Sequence, residues 1–352
     1  MLALSLSQVP SYSREYSMTA FGSVFMPEMA AARFNGTSWT PAEIVSGERI
    51  ELHPGAHVLQ YASTCFEGLK AFRHADGSVK IFRMDRNVAR LGQSTELLGM
   101  PAIDKPAVSQ MILDIVGRFA SQVPEPPGSM YIRPTHIGTE AAIGKAAAST
   151  ATSLLYVMLS PVGDYFAGND KTLRLLLDDD GMRCAPHMGT VKCGGNYASA
   201  LLAIQRAKAT VQADQVLFCP GGDVQETGAA NFLLIDGNEV ITKALDQSFL
   251  HGVTRDSILT LARDMGFDVQ ERALSVDELL ERATKPGCEA ALSGTAAVLA
   301  PVGTLLHNGQ EYTVGDGKAG KSTRRLRQAL NDIQWGRAED SHGWLTAVET
   351  KA

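Results

Sequence analysis

The sequence has few cysteines, no basic block and no long apolar run. Five cysteines without a C-x-x-C pair, an odd number in 352 residues, are typical of a chain from a reducing compartment. A net charge of −6 disfavours nucleic acid as a partner. The longest uncharged stretch, 290–310, contains glycines and a proline, and it predicts strand–turn–strand rather than a membrane span. Because the apolar N-terminus lacks a basic region and a small-residue cleavage site, we expect a cytoplasmic protein, with a short organelle presequence as the alternative.

The composition is that of an ordinary globular protein, with 45% hydrophobic and 20% charged residues. The length favours two domains. Strand-like runs alternate with amphipathic helical stretches, which indicates a mixed α/β (α+β) fold. The segment SPVGDYFAGN (160–169) is rich in glycine and proline and is the candidate linker. We therefore predict an N-terminal domain over 1–161, an interdomain loop over 162–170 and a larger C-terminal domain over 171–352.

Two patterns match known ligand motifs but lack the context that those motifs need. Gly315–Ser322 reads GDGKAGKS, which fits both a P-loop and the start of a dinucleotide motif. A P-loop needs a later buried strand ending in Asp, and only 30 residues follow Ser322. We interpret this stretch as a turn before a terminal helix and keep an ATP-binding enzyme as an alternative. His53 and His57 are interpreted as surface or capping residues, and no metal is expected.

The segment that carries chemistry is Gly189–Ala198, GTVKCGGNYA. Lys192 precedes two glycines, Gly194 and Gly195, which lead into a predicted helix. Glycines allow the backbone to approach a ligand closely. The positive end of the helix dipole and partial burial both favour a neutral amine, which a nucleophile that forms an imine requires. The alternative is a surface lysine in a glycine loop.

Three further segments offer groups for an anionic aromatic ligand. Glu226 stands just ahead of an apolar strand, so it is expected to be enclosed and to need a cationic partner, such as a protonated pyridine ring or an arginine. Thr254 lies near the start of a predicted helix, where free N–H groups bind phosphate. The segment Ser293–Val298, SGTAAV, ends a strand in small hydroxylated residues suited to a second phosphate contact. Ordinary helix and turn signals are the alternative for the last two.

Together these segments resemble the branched-chain amino-acid aminotransferases, which are pyridoxal-phosphate enzymes of fold-type IV, the D-amino-acid-aminotransferase-like fold. The resemblance covers nearly the whole chain. Three blocks point to the branched-chain members: ELHPGAHVLQYASTCFEGLKAFR (51–73), MYIRPTHIGTE (130–140) and SPVGDYF (160–166). A lyase or a D-amino-acid enzyme of the same fold is the alternative.

The resemblance implies a two-domain enzyme, a homodimer or higher oligomer, with pyridoxal 5′-phosphate at the domain interface. The implied reaction is transamination of L-leucine, L-isoleucine and L-valine with 2-oxoglutarate. Its products are branched-chain 2-oxo acids and L-glutamate, formed in a ping-pong cycle, as in branched-chain amino-acid biosynthesis. The implied partners are small amino and oxo acids, without nucleic acid or membrane.

The resemblance also implies roles for single residues. Lys192 is expected to be the Schiff-base lysine that also carries the proton, Tyr197 the phenol beside the cofactor's O3′, and Glu226 the partner of the pyridine nitrogen. The expected phosphate contacts are Arg90, the backbone of Val253, Thr254 and Thr295. The expected substrate contacts are Tyr61, Phe66, Gly68, Tyr131, Arg133, Tyr165, Thr295 and Ala296.

Within the substrate set, the aromatic residues and Gly68 are expected to form the apolar wall for a branched side chain. The backbone at Thr295 and Ala296 is expected to receive the α-carboxylate. Arg133 is expected to admit the distal carboxylate of glutamate. Two departures from the family pattern concern the site: the segment 183–192 is one residue short, and Lys145 stands where an apolar residue often lines the pocket from the partner subunit.

Overall fold

The computed structural model describes residues 21–164 and 171–350. The strands within those ranges form two sheets of eight strands each. In chain order the strands are β1 (Glu28–Phe34), β2 (Glu43–Ser46), β3 (Thr64–Phe66), β4 (Leu69–Arg73), β5 (Val79–Phe82), β6 (Ser129–Gly138), β7 (Ser153–Val162), β8 (Leu173–Asp178), β9 (Gln215–Phe218), β10 (Asn231–Asp236), β11 (Glu239–Thr242), β12 (Asp268–Glu271), β13 (Glu289–Gly294), β14 (Val298–His307), β15 (Gln310–Thr313) and β16 (Leu345–Val348).

The two sheets differ in their strand directions. The first has the order β16-β5-β4-β6-β7-β1-β2, with β3 beside β6, and every pair in it is antiparallel. The second has the order β12-β11-β10-β13-β14-β8-β9, with β15 beside β14. Its pairs β11–β12, β14–β8 and β8–β9 are parallel. The mixed α/β fold class predicted from the sequence is confirmed.

Helices cover the sheets and connect their strands. In chain order the described helices are α1 (His57–Tyr61), α2 (Met84–Leu97), α3 (Lys105–Arg118), α4 (Gly194–Val211), α5 (Val253–Asp264), α6 (Val276–Ala283) and α7 (Lys321–Gln334). None of these helices combines the length and the apolar character that crossing a membrane requires.

Helix α3 shows how the apolar periodicity of the sequence becomes a core. Val108, Met111, Ile112 and Ile115 recur at helical spacing and are all buried against the first sheet, as predicted. Burial of such side chains contributes about 25 cal/mol per Å² of apolar surface. The apolar spacing of the sequence predicts a helix over 106–123, whereas the α-helix ends at Arg118 and a short 3₁₀ turn follows.

The central strands of the first sheet are longer than their sequence runs predict. β6 and β7 pair over ten positions, from Ser129 opposite Val162 to Gly138 opposite Ser153. The apolar runs of the sequence predict buried strands over 130–134 and 153–159, which cover only part of the two observed strands. The strands extend further because each completes the hydrogen-bond ladder of the other.

A shared core joins the two sheets. Phe72 and Phe82 of the first sheet belong to the same buried cluster as Ile258 of α5 and Leu326 of α7. Trp344, just before β16, meets Phe82 edge-on with 5.7 Å between ring centroids. The boundary between the two sheets, called the seam below, is therefore packed. It brings α2, which follows β5 of the first sheet, next to α5, which follows β11 of the second.

The last strand does not stay with the second sheet. β16 pairs with β5, so the chain returns to the first sheet at its end. The division into segments 1–161, 162–170 and 171–352 stays a prediction, and residues 165–170 of its loop lie outside the described residues. The structure adds that the C-terminal strand belongs to the N-terminal sheet.

Candidate active site

The amine of Lys192 and the phenol of Tyr197 meet at the start of α4. Lys192 Nζ donates to the Tyr197 hydroxyl at 2.7 Å, and the Phe66 ring lies 5.2 Å from that Nζ. Burial raises the pKa of Tyr197, but the charges of Lys192 and Arg183 outweigh burial and hold this pKa below its ordinary value. The phenol and the amine therefore form a pair that can share a proton beside an aromatic wall.

The backbone of Lys192 is fixed by the first half of the chain. Its N–H donates to Ser94 Oγ on α2 at 3.0 Å, and its carbonyl accepts from the N–H of Phe66 at 3.0 Å. Cys65 and Cys193 stand opposite each other in an isolated antiparallel bridge. No local pattern marks the Ser94 contact, because 98 positions separate its partners. The lysine is thus held at the seam between the two sheets.

Glu226 is enclosed, as predicted, and only 2% of its surface is exposed. It accepts hydrogen bonds from the N–H of Leu250 at 2.9 Å and from Asn231 Nδ2 at 3.2 Å, and it forms an ion pair with Arg183 Nη1 at 2.8 Å. Burial outweighs these partners and raises the pKa of Glu226 to about 7. The arginine partner that the sequence left open as an alternative is present. Among the residues that the structure describes, Oε2 has only the longer bond, from Asn231, which leaves room for a further donor.

Three of the expected phosphate contacts lie around the same cavity. Thr254, near the start of α5, and Thr295 line one small void together with Val253 and Lys70. Gly252 precedes α5 and has no side chain to cap it, so the first N–H groups of the helix are available to an anion. The expected phosphate residues Val253, Thr254 and Thr295 are therefore brought together.

Arg90, the fourth expected phosphate contact, reaches the same helix from α2. Its Nη1 donates to the carbonyl of His251 at 2.8 Å, just ahead of α5. Its Nε and Nη2 donate to the two carboxylate oxygens of Glu67 at 2.7 and 2.9 Å. This buried ion pair was not predicted, although Glu67 lies inside the block that carried the resemblance.

Tyr131 and Arg133 project from the same face of β6, since alternate residues of a strand share a face. Arg133 Nη2 donates to the Tyr131 hydroxyl at 3.0 Å, and its guanidinium lies 4.7 Å from the centre of the Phe66 ring. Within the described residues, the buried Nε of Arg133 has no hydrogen-bond partner. A cation with a spare donor thus lies among aromatic rings, beside the ring that touches Lys192.

Gly68 and Phe21 shape the same pocket. A Cβ on Gly68 would come within 1.9 Å of the Tyr131 hydroxyl, so any larger residue there would displace the Tyr131 ring. Phe21 meets Tyr131 edge-on with 5.1 Å between ring centroids. A neighbouring pocket of about 230 Å³ opens here. Its lining consists of Phe21, Gly22, Phe25, Tyr131, Arg133, Met158, Leu159 and Ser160. Phe21 was missed because its segment has no periodic pattern.

Lys70 is a second residue that sequence reasoning missed. It is buried on β4, and its Nζ donates to the carbonyl of Ala296 at 2.9 Å. Burial lowers the pKa of Lys70 to about 8. Thr295 Oγ1 donates to the carbonyl of Gly68 at 3.2 Å, so two bonds tie the 295–296 turn to β4 and its preceding residue. Nothing in the local sequence distinguishes Lys70 from a surface lysine of a strand.

Tyr61 lies in a different group of residues. Its hydroxyl donates to the carbonyl of Ile143, and its ring lies 4.9 Å from that of His57. Lys145, in the same group, forms an ion pair with Glu140 at 2.5 Å, so its charge is neutralised locally. In the described part of this chain the structure does not bring Tyr61 to Lys192 or Phe66. Tyr165, another expected pocket residue, lies outside the described residues.

The P-loop pattern forms a turn before α7, as predicted. The carboxylate of Glu289 accepts hydrogen bonds from the N–H groups of Ser322 at 2.9 Å and Thr323 at 2.7 Å. A carboxylate of the chain itself thus holds the N–H groups that a nucleotide phosphate would need. Of the histidine pair, His53 is exposed, and its Nδ1 accepts from the N–H of Gly55 at 3.0 Å. The surface or capping interpretation is wrong for His57, which is buried and whose Nδ1 bonds Ser63 Oγ at 2.9 Å.

Comparison with known proteins decides the family. The family model described as amino-transferase class IV matches residues 64–304, which is more than half of the chain. A probable branched-chain-amino-acid aminotransferase of Streptomyces coelicolor is 39% identical over 334 residues, covering 92% of this chain and 91% of the relative. The branched-chain-amino-acid aminotransferase of Mycolicibacterium smegmatis is 36% identical over 340 residues, covering 93% and 92%. The chain belongs to the branched-chain amino-acid aminotransferase family.

Solved structures of this family have the same fold. The T.th. branched-chain amino acid aminotransferase with pyridoxamine 5′-phosphate superposes with a TM-score of 0.75 at 26% identity, covering 91% of this chain and 98% of that one. The Escherichia coli enzyme gives a TM-score of 0.74 at 25% identity, covering 91% and 99%. The protein is therefore an aminotransferase, and the resemblance and fold type expected from its motifs are confirmed.

Proposed function

We propose that this aminotransferase exchanges amino groups between L-leucine, L-isoleucine or L-valine and 2-oxoglutarate, with pyridoxal 5′-phosphate as cofactor. One observation carries the proposal. The pocket beside Lys192 combines the aromatic surfaces of Phe66 and Tyr131 with the guanidinium of Arg133, whose Nε has no partner in the described residues. Aromatic surface suits a branched side chain, and a spare cationic donor suits the distal carboxylate of glutamate.

The donors and acceptors of the site fit the cofactor at both of its ends. Lys192 would hold it covalently, and the free capacity of Glu226 Oε2 would accept the N–H of its pyridine ring. The uncapped start of α5, with Thr254 and Thr295 on one void, would receive its phosphate. When bound, the cofactor withdraws electrons from the substrate α-carbon.

The chain's own groups then act on protons and charges. We infer that Lys192 takes and returns the proton of the substrate α-carbon, because its Nζ is the amine held beside the pocket. Tyr197, whose pKa is lowered, orients that amine at 2.7 Å and can share its proton. Arg183 favours the ionised form of Glu226 despite its burial. An ionised carboxylate is what keeps a pyridine nitrogen protonated.

The substrate α-carboxylate is assigned to the turn at Thr295 and Ala296. Lys70 accounts for the orientation of this turn, because it binds the carbonyl of Ala296 at 2.9 Å and leaves the N–H groups of the turn for the substrate. Phe66 and Tyr197, with 5.3 Å between their ring centroids, shield the reacting amine from water on one side.

We also infer a cytoplasmic homodimer whose pocket is completed by a partner subunit. Leu59 and Ile143, next to Tyr61, are 59% and 71% exposed, and an apolar group of this kind favours contact with another protein surface. Tyr61 would then line the pocket of the partner subunit rather than that of its own chain. This placement is consistent with the separation of Tyr61 from Lys192 in the single chain.

The function is tested by adding L-leucine and 2-oxoglutarate to the purified protein and measuring formation of L-glutamate. The protein should show a visible cofactor absorbance band that shifts on adding L-leucine and not on adding D-alanine. Lys192→Ala should remove both the turnover and the shift, since Lys192 supplies the amine that lies beside Tyr197 and Phe66. Turnover of D-alanine without turnover of L-leucine would contradict the proposal, as would a Lys192→Ala variant with wild-type turnover.

A further inference from the structure

Glu67 lies between the two pocket residues Phe66 and Gly68, but its carboxylate is engaged elsewhere. It is 1% exposed, and its two oxygens accept the Nε and Nη2 hydrogens of Arg90 at 2.7 and 2.9 Å. Oε2 also accepts the N–H of Gly68 at 3.2 Å. Both oxygens are therefore occupied, so Glu67 is not available to act on a substrate.

The bidentate pair fixes the plane of the Arg90 guanidinium. A guanidinium has five N–H donors in a rigid fork. Glu67 takes two of them, and the carbonyl of His251 takes a third, from Nη1, at 2.8 Å. One hydrogen on each terminal nitrogen remains. Because Nη1 is bonded to the carbonyl of His251, two residues before Val253, the guanidinium that carries these two hydrogens is anchored just ahead of the uncapped start of α5.

The buried positive charge of Arg90 also requires Glu67 as its partner. Arg90 is buried, and burial alone would lower its pKa, but Glu67 holds the pKa above its ordinary value. Without Glu67, the cofactor-free enzyme would keep an uncompensated cation in a closed seam, and the Arg90 side chain could adopt another rotamer. The backbone of Glu67 does not depend on the pair, because its N–H donates to the carbonyl of Pro134 at 2.9 Å.

We propose that Glu67 is a positioning residue that aims Arg90 at the phosphate group of the cofactor. It sets the affinity for the phosphorylated cofactor and leaves binding of the ring unchanged. The inference rests on the proposed function, because it takes Arg90 as a phosphate ligand. It adds a specific consequence: removing the Glu67 charge acts on the phosphate alone, although the residue never touches the cofactor.

The test compares two ligands that differ only in the phosphate. The full-length chain is stripped of cofactor, and the dissociation constants of pyridoxal 5′-phosphate and of pyridoxal are measured by absorbance or fluorescence. For Glu67→Gln we expect a loss of roughly tenfold or more with pyridoxal phosphate and less than about twofold with pyridoxal. Glu67→Asp, which keeps the charge but is too short to reach both nitrogens, should lose an intermediate amount on pyridoxal phosphate only.

Glu28→Gln is the matched control. The carboxylate of Glu28 accepts hydrogen bonds from Nε and Nη2 of Arg118, the same two nitrogens that Arg90 uses, but it lies on the outer part of the first sheet. The dissociation constants of pyridoxal phosphate and of pyridoxal should therefore both stay unchanged in this variant. Equal losses for both ligands in Glu67→Gln and Glu67→Asp would overturn the inference and leave Glu67 a support of the fold. Unchanged constants would overturn it as well.

Arg90→Met separates this inference from the proposed function. If Arg90→Met binds pyridoxal phosphate as the wild type does, the proposed phosphate site is wrong, and the inference falls with it. If Arg90→Met loses affinity and the Glu67 variants do not, only the positioning role of Glu67 is wrong.

Discussion

Arg183 and Glu226 form an ion pair of 2.8 Å, and each of these side chains is no more than 3% exposed. The pair lies where the candidate site needs a carboxylate that can ionise although it is buried. Breaking a buried pair leaves an uncompensated charge, which costs more than the pair itself contributes. Arg183 belongs to the segment RCAPHMGTVK, whose length departs from the family pattern. The shortened segment therefore still supplies the cation that Glu226 requires.

Replacing Arg183 by methionine should move the acidic limb of the kcat–pH profile to higher pH. Arg183 lowers the pKa of Glu226, so without it the carboxylate ionises only at a higher pH. The variant should also lose about 3–5 kcal/mol of stability, the usual cost of breaking a buried pair.

Arg183→Lys keeps the charge and should restore part of the profile. Arg174→Met, which breaks an exposed pair with Glu311, should leave the profile unchanged. If the profile of Arg183→Met coincides with that of the wild type, Arg183 does not have this role.

The stability of the cofactor-free enzyme should depend on the ionisation of Glu226. Its pKa is raised from 4.5 to about 7 by burial, so the folded chain holds this proton more tightly than the unfolded chain. Stability from this group is present below pH 4.5 and is lost as the pH rises through about 7. The glutamine of the Glu226→Gln variant does not titrate. The melting temperature of the wild type should therefore fall relative to that of the variant as the pH rises from 4.5 to about 7. Melting temperatures of the two proteins that run parallel from about pH 5 to about pH 8 would contradict the raised pKa.

Replacing Arg133 by methionine should separate the two substrates of the reaction. Leucine needs only apolar surface, whereas glutamate needs a partner for its distal carboxylate. We therefore expect kcat/KM for glutamate and 2-oxoglutarate to fall by a factor that corresponds to about 2–5 kcal/mol of free energy. The fall in kcat/KM for leucine should be much smaller. Tyr131→Phe is the control, because it removes the hydrogen bond of 3.0 Å to Arg133 and keeps the ring. Equal losses for both substrates together with a lower melting temperature would mean that Arg133 only braces β6.

The P-loop pattern should not contribute to activity, and its only role should be to stabilise the start of α7. Lys321 is exposed, so Lys321→Ala should leave activity and melting temperature unchanged, and ATP should not stabilise the protein. Glu289→Ala removes the acceptor of the Ser322 and Thr323 N–H groups, which should cost about 1–2 kcal/mol of stability. Lost activity in a folded Lys321→Ala variant would instead support a nucleotide site.

The sequence by itself determined features that depend on neighbouring residues. The apolar spacing of Val108, Met111, Ile112 and Ile115 predicted one buried face of α3, because a helix returns to the same side every three to four residues. The position of Lys192 before two glycines and a helix marked the candidate reactive amine. The motif resemblance indicated the family. The first two signals lie within short windows, where local geometry and composition decide the outcome, and the resemblance is a series of such short blocks along nearly the whole chain.

Only the tertiary structure decided which distant groups meet. Glu67 and Arg90 are 23 positions apart, Lys70 and Ala296 are 226 apart, and Ser94 reaches Lys192 across 98. No local pattern marks such pairs, because their meeting depends on the order of the strands and on the seam between the sheets. The pairing of β16 with β5 and the separation of Tyr61 from Lys192 have the same origin. Burial then fixes the charge partners, since removing one member of such a pair leaves an unpaired ion in that seam at a cost of about 3–5 kcal/mol.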